Sequence, residues 1–151
     1  MNSIIIFRCA SHSIVKMCIN DHMGSEVIVF VQNECIPEYK EIKGIRVVAI
    51  PNGIIELSSF RKKVKFDCGN FIKSIVVIPT NDLEKRMYNI EDICAYFLKK
   101  REVIYYNQYG ETKKRRIYKN RSLRLRIEEL KKHYRLLIDK VLYLVYGKMG
   151  W

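Results

Sequence analysis

Five short runs of β-branched and other apolar residues recur along the first 110 positions, and segments with helical spacing separate them. Each run is apolar at nearly every position, which is typical of strands buried on both faces of a parallel sheet. Strand–helix alternation with short connections indicates βαβ units with right-handed crossovers. The sequence therefore predicts a single α/β domain of Rossmann-like type with a mainly parallel five-stranded sheet. The runs are SIIIFRC (3–9), EVIVFVQ (26–32), IRVVAIP (45–51), SIVVIPT (74–80) and EVIYYN (102–107).

Four segments between these runs are predicted to be helical. The longest is the strongest prediction, because Asn81 or Asp82 can cap it and one apolar stripe runs along it. Its Lys-Lys-Arg end also suits the negative pole of a helix dipole. Two of the shorter segments end at a glycine, a common helix C-cap. The four segments are 12–24, 34–44, 57–65 and 81–101.

The positive charge of the chain is concentrated at its C-terminal end. Residues 112–151 hold thirteen Lys and Arg against three acids, a net of +10 out of the total of +12. Residues 1–111 hold fifteen against thirteen, a net of +2. We therefore expect a nearly neutral domain over 1–111, followed over 112–151 by a basic linker and a C-terminal helix. Such asymmetry indicates a polyanionic partner, either nucleic acid or an anionic lipid surface.

The cysteines and histidines predict neither disulfides nor a metal site. Five cysteines are an odd number without a C-x-x-C pair, which is typical of small core residues in a reduced protein. The three histidines are scattered. The apolar run near the N-terminus is too short for a signal-peptide core, and no stretch reaches the length of a transmembrane helix. We expect a cytoplasmic protein without cofactor or metal.

The C-terminal segment is predicted to be an amphipathic helix over 123–146. Its last turns, 141–146, are apolar on all sides, so that end must be buried in the body, in a partner or in the head-group region of a bilayer. Its apolar line consists of Leu123, Ile127, Leu130, Tyr134, Leu137, Ile138, Val141 and Val145.

The loop RCASHS (8–13) is the first candidate site, because ligands of such sheets bind beyond the carboxyl ends of the strands. Arg8 is suited to an anionic group, and Ser11 and Ser13 are suited to a phosphate or sugar hydroxyl at a helix N-terminus. His12 is the candidate general base. The alternative is that a serine only caps the helix and that His12 is a surface residue. The loop has no G-x-G-x-x-G, which disfavours NAD or FAD.

Polar residues also follow the fourth and fifth predicted strands. Thr80, Asn81 and Asp82 suit a carbohydrate or a phosphate, and they equally suit the capping of the next helix. Asn107 begins a turn after the fifth strand, beside tyrosines that can stack on a sugar or complete the core.

The layout of residues 3–111 resembles the N-terminal half of GT-B-fold glycosyltransferases, and within them the lipopolysaccharide heptosyltransferases. The stretches that carry the resemblance are IIIFRCASHSIVKM, EVIVFVQNECIPEYKEIKGIRVVAIP, SIVVIPTND and REVIYYNQYGE. The resemblance implies an acceptor-binding half-domain. In that family the first strand runs into an R-x-S-S-x-G-D-like turn, whose Gly-Asp falls near Ser13 and Ile14 here, so the family's acid is missing and His12 is left as its substitute.

The resemblance further implies that a partner is needed for glycosyl transfer, because the family's nucleotide-sugar site belongs mainly to a second Rossmann domain. A chain of this length does not contain one. We expect a half-domain that meets a donor domain in another protein or in a homo-oligomer, in envelope polysaccharide or glycolipid assembly. Whether the chain is an enzyme by itself stays open.

Three interpretations compete for the basic segment: an anionic membrane surface, packing against the body or a partner, and nucleic acid. The membrane interpretation is favoured because it explains both the cations and the apolar helix that follows them. A nucleic-acid module is the alternative function. We therefore expect peripheral attachment to the inner face of a membrane. The residues expected to contact the polyanion or membrane are Lys113, Lys114, Arg115, Arg116, Lys119, Arg121, Arg124 and Trp151.

Overall fold

A computed structural model describes residues 2–64, 73–118 and 121–147 of the chain. The chain divides into two compact units, Met1–Lys119 and Asn120–Trp151, and each is described by itself.

The first unit is built on one six-stranded sheet with the strand order β3-β2-β1-β4-β5-β6. Strands β1 to β5 run parallel, and β6 is antiparallel to β5. The predicted α/β class with a mainly parallel, roughly Rossmann-like sheet is therefore confirmed. The strands are β1 (Ser3–Phe7), β2 (Glu26–Gln32), β3 (Ile45–Ile50), β4 (Ile75–Pro79), β5 (Glu102–Tyr106) and β6 (Thr112–Arg116).

The predicted count of five strands is wrong, because β6 adds a sixth. Its sequence, TKKRR, has no apolar residue, and this segment was predicted to belong to the basic linker. An edge strand is paired on one side only, so it can carry charged side chains that a central strand could not bury. The turn between β5 and β6 brings these cations back against the sheet.

The helices pack on both faces of the sheet. The predicted long helix over 81–101 is shorter than expected, because α4 begins at Tyr88 with Met87 as its N-cap, so neither Asn81 nor Asp82 caps it. Local bonds compete with the helix here: the Asp82 N–H donates to Thr80 Oγ1 (3.1 Å), and the Glu84 N–H donates to Asp82 Oδ1 (2.9 Å). The helices are α1 (His12–Asp21), α2 (Ile36–Lys40) after a 3₁₀ turn (Asn33–Cys35), α3 (Leu57–Lys63) and α4 (Tyr88–Tyr96).

Each face of the sheet has its own apolar core. Helices α1 and α2 cover one face, where Val15, Ile19 and Tyr39 are fully buried against β1 and β2. Helices α3 and α4 cover the other face, where the ring of Phe7 stacks on that of Phe30 at 5.0 Å. The apolar stripe predicted over 83–98 belongs to this second core, including the part that precedes α4.

The described residues of the second unit form a 27-residue helix, α5 (Arg121–Gly147), which contains the predicted helix over 123–146. Its large apolar side chains from Leu130 onward are exposed. Within the described ranges, none of the helices is both long and apolar enough to cross a membrane.

Candidate functional site

At the carboxyl ends of β1 and β4, the connections to the next helices leave toward opposite faces of the sheet. The chain leaves β1 toward α1 on one face, and it leaves β4 toward α4 on the other face. A parallel sheet has its natural ligand crevice at such a point. Cys9 ties the two ends together, because its Sγ donates to Phe7 O (3.3 Å) and to Pro79 O (3.2 Å). Burial raises the pKa of the Cys9 thiol well above its usual range, so Cys9 is not a thiolate nucleophile.

Four side chains meet at the carboxyl ends of β1 and β2; we call them the His12 cluster. His12 Nε2 lies 2.9 Å from Glu38 Oε2 and 3.3 Å from Arg8 Nη2. His12 Nδ1 lies 2.8 Å from Tyr39 Oη. Both ring nitrogens of His12 therefore have polar partners, and only the one on the Glu38 side faces outward, since Tyr39 is fully buried. The His12 cluster consists of Arg8, His12, Glu38 and Tyr39.

The sheet topology explains this meeting. Strands β1 and β2 are parallel neighbours, so the segments that follow them start at the same edge. His12 is the first residue of α1, which follows β1. Glu38 and Tyr39 lie in α2, which follows β2. Glu38 and Tyr39 were not among the predicted site residues, and the one signal for them in the sequence was their place after β2 at this same edge.

Arg8 provides a positive charge with unused hydrogen-bonding capacity. Its Nε is buried and has no hydrogen-bond partner within the described part of the chain. A buried donor of this kind is costly unless an acceptor occupies the space beside it. A ligand oxygen or a water molecule is therefore expected next to Arg8.

The N-terminus of α1 adds to this positive potential. Its first turn holds no acidic residue, and the positive pole of the helix dipole lies there. Ser11 is the N-cap residue, but its side chain makes no capping hydrogen bond. Its Oγ lies 3.0 Å from Oγ of Ser13, and both residues are exposed. The two hydroxyls thus lie at the start of α1, and their role in binding a phosphate or sugar stays a prediction.

Because Tyr39 is buried, its hydroxyl keeps its proton near neutral pH. Burial raises the pKa of Tyr39 to about 12, and the nearby Arg8 partly offsets this rise. Tyr39 thus stays protonated, and its hydroxyl fixes the orientation of the His12 ring. Because the His12 ring is held at Nδ1, its Nε2 points in a constant direction.

The predicted polar residues after β4 and β5 are held in turns. Thr80 is buried, and its hydroxyl donates to Asp82 O (3.0 Å), while Asn81 is exposed. Asn107 closes the turn between β5 and β6: its Nδ2 donates to Glu111 Oε2 (2.7 Å), and its Oδ1 accepts from two backbone N–H groups. The side chain of Asn107 is thus occupied within its own turn.

The cations of β6 contact acidic and carbonyl groups of the same unit. Lys113 Nζ lies 2.5 Å from Glu84 Oε1, and Lys114 forms an ion pair with Glu102. These two lysines therefore have carboxylate partners before any polyanion arrives.

The arginines of β6 lie beside aromatic rings. Arg115 donates to Leu83 O (2.7 Å), and its guanidinium lies 5.5 Å from the centre of the Tyr105 ring. Arg116 is exposed and lies 5.9 Å from the centre of the Tyr118 ring. The other predicted contacts cannot be placed: Lys119, Trp151 and the side chains of Arg121 and Arg124 lie outside the described residues.

A cavity of about 390 Å³ lies at the opposite edge, where β4 and β5 begin. Its rim includes Lys100 and Lys114, and Lys100 Nζ donates to Ser74 O (2.7 Å). Burial lowers the pKa of Lys100. Lys114 is the lysine paired with Glu102. Lys100 and Lys114 are thus already bound to groups of the sheet, while Lys99 and Arg101 also line the cavity. Among the described residues, no group of three or more potential metal ligands occurs.

No protein-family model matches the chain, and no curated protein or solved structure matches it. Function is therefore inferred from the chemistry of the site and of α5.

Proposed function

We propose that the chain is the acceptor-binding half of a glycosyltransferase-type system and that it works at the inner surface of a membrane, in envelope polysaccharide or glycolipid assembly. The observation that carries this proposal is the His12 cluster at the carboxyl end of β1, next to the point where the connections of the sheet diverge. The implied acceptor is a lipid-linked sugar that carries a phosphate.

Arg8 and the start of α1 would bind the phosphate. The guanidinium supplies a permanent charge and an unpaired buried Nε–H, and the exposed hydroxyls of Ser11 and Ser13 supply further hydrogen bonds. The α1 N-terminus adds a favourable field for an anion. These groups would fix the acceptor so that a sugar hydroxyl lies beside His12.

With the Nδ1–H of His12 donating to the Tyr39 hydroxyl, Nε2 would accept the proton of the sugar hydroxyl, and the nearby carboxylate of Glu38 would stabilise the imidazolium that forms. Glu38 is half-exposed at its side chain, so it can move aside when the acceptor enters. In this arrangement Glu38 provides the carboxylate that the resembled family places near Ser13 and Ile14. A separate donor-binding protein would supply the activated sugar.

Helix α5 would hold the half-domain at the membrane. Lys132, Arg135 and Lys140 are exposed cations, and each such cation near an anionic leaflet contributes about 1 kcal/mol. The exposed Tyr143 and Tyr146 suit the head-group region. Nucleic-acid binding remains the alternative, although Lys113 and Lys114 already have carboxylate partners.

Isothermal titration with a hexose 1-phosphate tests the acceptor site. We expect Arg8→Ala to weaken binding by about 10- to 100-fold, because a charged hydrogen bond to phosphate contributes about 1.5 to 3 kcal/mol. Lys16→Ala is the matched control, since it removes one positive charge from an exposed position of α1. Equal weakening by both variants, or no binding to the unaltered chain, would contradict the proposed site.

Co-sedimentation with vesicles that contain anionic lipid tests the membrane contact. The full chain should sediment, and a chain ending at Tyr118 should stay in the supernatant. Binding of the full chain to RNA or DNA with a steep salt dependence, without sedimentation on vesicles, would instead support the nucleic-acid alternative.

A further inference from the structure

Apolar residues recur along α5 in alternating steps of three and four. This spacing is the heptad pattern of a coiled coil, in which positions a and d form a narrow seam along one side of the helix. The seam occupies six successive positions, which are Ile127, Leu130, Tyr134, Leu137, Val141 and Leu144.

The residue types at these positions indicate a particular kind of coiled coil. All three d positions are leucine, and two of the three a positions are β-branched, Ile127 and Val141. β-branched residues at a with leucine at d favour two parallel strands, because each side chain fits the hole formed by the facing helix. The third a position is Tyr134. From residue 128 to residue 139 the outer positions b, c and f are charged except for Leu136, and they include Glu129, Lys132, Arg135 and Asp139.

The seam is exposed on α5. Leu130 and Tyr134 are each 68% exposed, and Leu144 is 59% exposed. A run of exposed apolar side chains of this length requires a covering surface. The helix of 27 residues spans nearly four heptads, which is long enough for a stable two-stranded pairing.

We propose that α5 pairs with α5 of a second copy of this chain in a parallel, in-register, two-stranded coiled coil. In this arrangement every seam residue faces its own copy, so the leucine layers and the β-branched layers are matched along the whole seam.

The charges beside the seam are compatible with a second copy. Positions g and e of the two helices meet across a parallel dimer, and they join His133 with Ile138 and Lys140 with Val145. Neither pair joins two like charges. In the sequence, the g–e pair that precedes these two joins Arg126 with Lys131. These two positive charges repel each other, and salt screens their repulsion. Dimer formation should therefore strengthen with ionic strength, whereas binding to an anionic surface should weaken.

The pairing would leave a second set of apolar residues free. Leu142, Tyr143 and Tyr146 lie at b, c and f, outside the seam. Parallel helices end on the same side, so a dimer presents two such sets together. If the proposed membrane contact is correct, this doubling adds a second anchor, which a peripheral protein needs for stable attachment.

Sedimentation velocity of the full chain without lipid tests the pairing. We expect a species of twice the chain mass of 18.0 kDa, with an affinity that rises with salt. Leu137→Asp should weaken the dimer by at least 10-fold, because it places a charge in the seam. Leu136→Asp is the matched control at the next position, which is exposed and outside the seam. Leu130→Asp repeats the test at a second layer.

Disulfide trapping tests the orientation. Val141→Cys should form an interchain disulfide under mild oxidation, because an a position faces its own copy in a parallel dimer. Lys132→Cys at an outer position should not. A monomer at all concentrations, a mass other than that of a dimer, or trapping at Lys132→Cys alone would overturn the proposal. Vesicle binding is measured separately, so either proposal can fail without the other.

Discussion

Glu91 is a fully buried carboxylate whose oxygens all have donors. Arg86 donates to it through Nε and Nη2, each at 2.9 Å, and the Tyr105 hydroxyl donates to its Oε1 at 2.8 Å. Arg86 also donates to the carbonyl of Arg116 at 2.9 Å. Burial and the neighbouring Glu91 raise the pKa of Tyr105 far above its usual range. This network joins α4, β5 and the end of β6 through a few charged hydrogen bonds.

Glu91→Gln should lower the free energy of unfolding by about 3 to 5 kcal/mol. The change leaves the buried guanidinium of Arg86 without its countercharge, and an uncompensated buried charge is costly. Urea denaturation measures the loss. Glu84→Gln is the control, because Glu84 is 67% exposed where it pairs with Lys113, and we expect less than about 1 kcal/mol there. Similar losses in both variants would contradict a special role for the buried pair.

Tyr39→Phe should reduce the slope with which the free energy of unfolding falls as the pH rises above 10. Burial raises the pKa of Tyr39 from 10 to about 12, so between these values the unfolded chain gives up the phenol proton and the folded chain keeps it. The contribution is therefore complete below pH 10 and is lost as the pH rises toward 12, at about 1.4 kcal/mol per pH unit. Unfolding free energies measured from pH 8 to 11.5 give the slopes. An unchanged slope in the variant would show that Tyr39 does not titrate differently on folding.

Individual site residues differ in how far the sequence predicts them. Arg8 and His12 follow directly from strand order, because the residues after a parallel strand reach the ligand edge whatever the details of packing. Glu38 does not, since its contact with His12 depends on the rotation of the short helix α2 relative to α1. Thr80 and Asp82 do not cap α4, because short polar side chains bond to nearby backbone and hold their own turn, and their part in ligand binding stays a prediction.

The turn between β5 and β6 depends on one backbone conformation. Gly110 has φ of 75°, which glycine adopts freely and other residues adopt at a cost. Gly110→Ala should therefore destabilise the protein by about 1 kcal/mol, although an added Cβ would meet only Tyr106 Oη at an ordinary 3.8 Å. Gly24→Ala is the control, because Gly24 lacks this positive φ and has open space around it. Thermal unfolding should place the control within about 0.5 kcal/mol of the parent.

The strands that have an apolar run in the sequence were predicted correctly. Strands β1, β2, β4 and β5 show near-continuous apolar runs because both of their faces are covered, and the edge strand β3 has a similar run although it is only partly buried. Strand β6 has no such pattern, since its lysine side chains form ion pairs with Glu84 and Glu102 and do not pack in an apolar core. The start of α4 was predicted too early because an apolar stripe at helical spacing also fits a turn segment that packs on the same core.

The net charge of +12 overstates the cationic surface available to a partner. The basic segment looked continuous in the sequence, but its first part is a strand whose lysines have carboxylate partners. Its later part is α5, where Lys132, Arg135 and Lys140 are exposed. The net charge is a sum over all charged side chains in the sequence, and it does not show which of them already form ion pairs within the fold. We therefore propose that a polyanion, if bound, contacts α5 rather than β6.

Two double variants with the same change in net charge test this assignment. Lys132→Ala with Arg135→Ala should weaken binding to anionic vesicles by about 30-fold, because two cations near the leaflet contribute about 2 kcal/mol. Lys113→Ala with Lys114→Ala should change it by less than about 3-fold, because these two lysines pair with Glu84 and Glu102 and would make no contact with the leaflet. Vesicle titrations at several salt concentrations give both numbers. If the strand variant weakens binding as much as the helix variant, then total charge and not the surface of α5 governs the attraction.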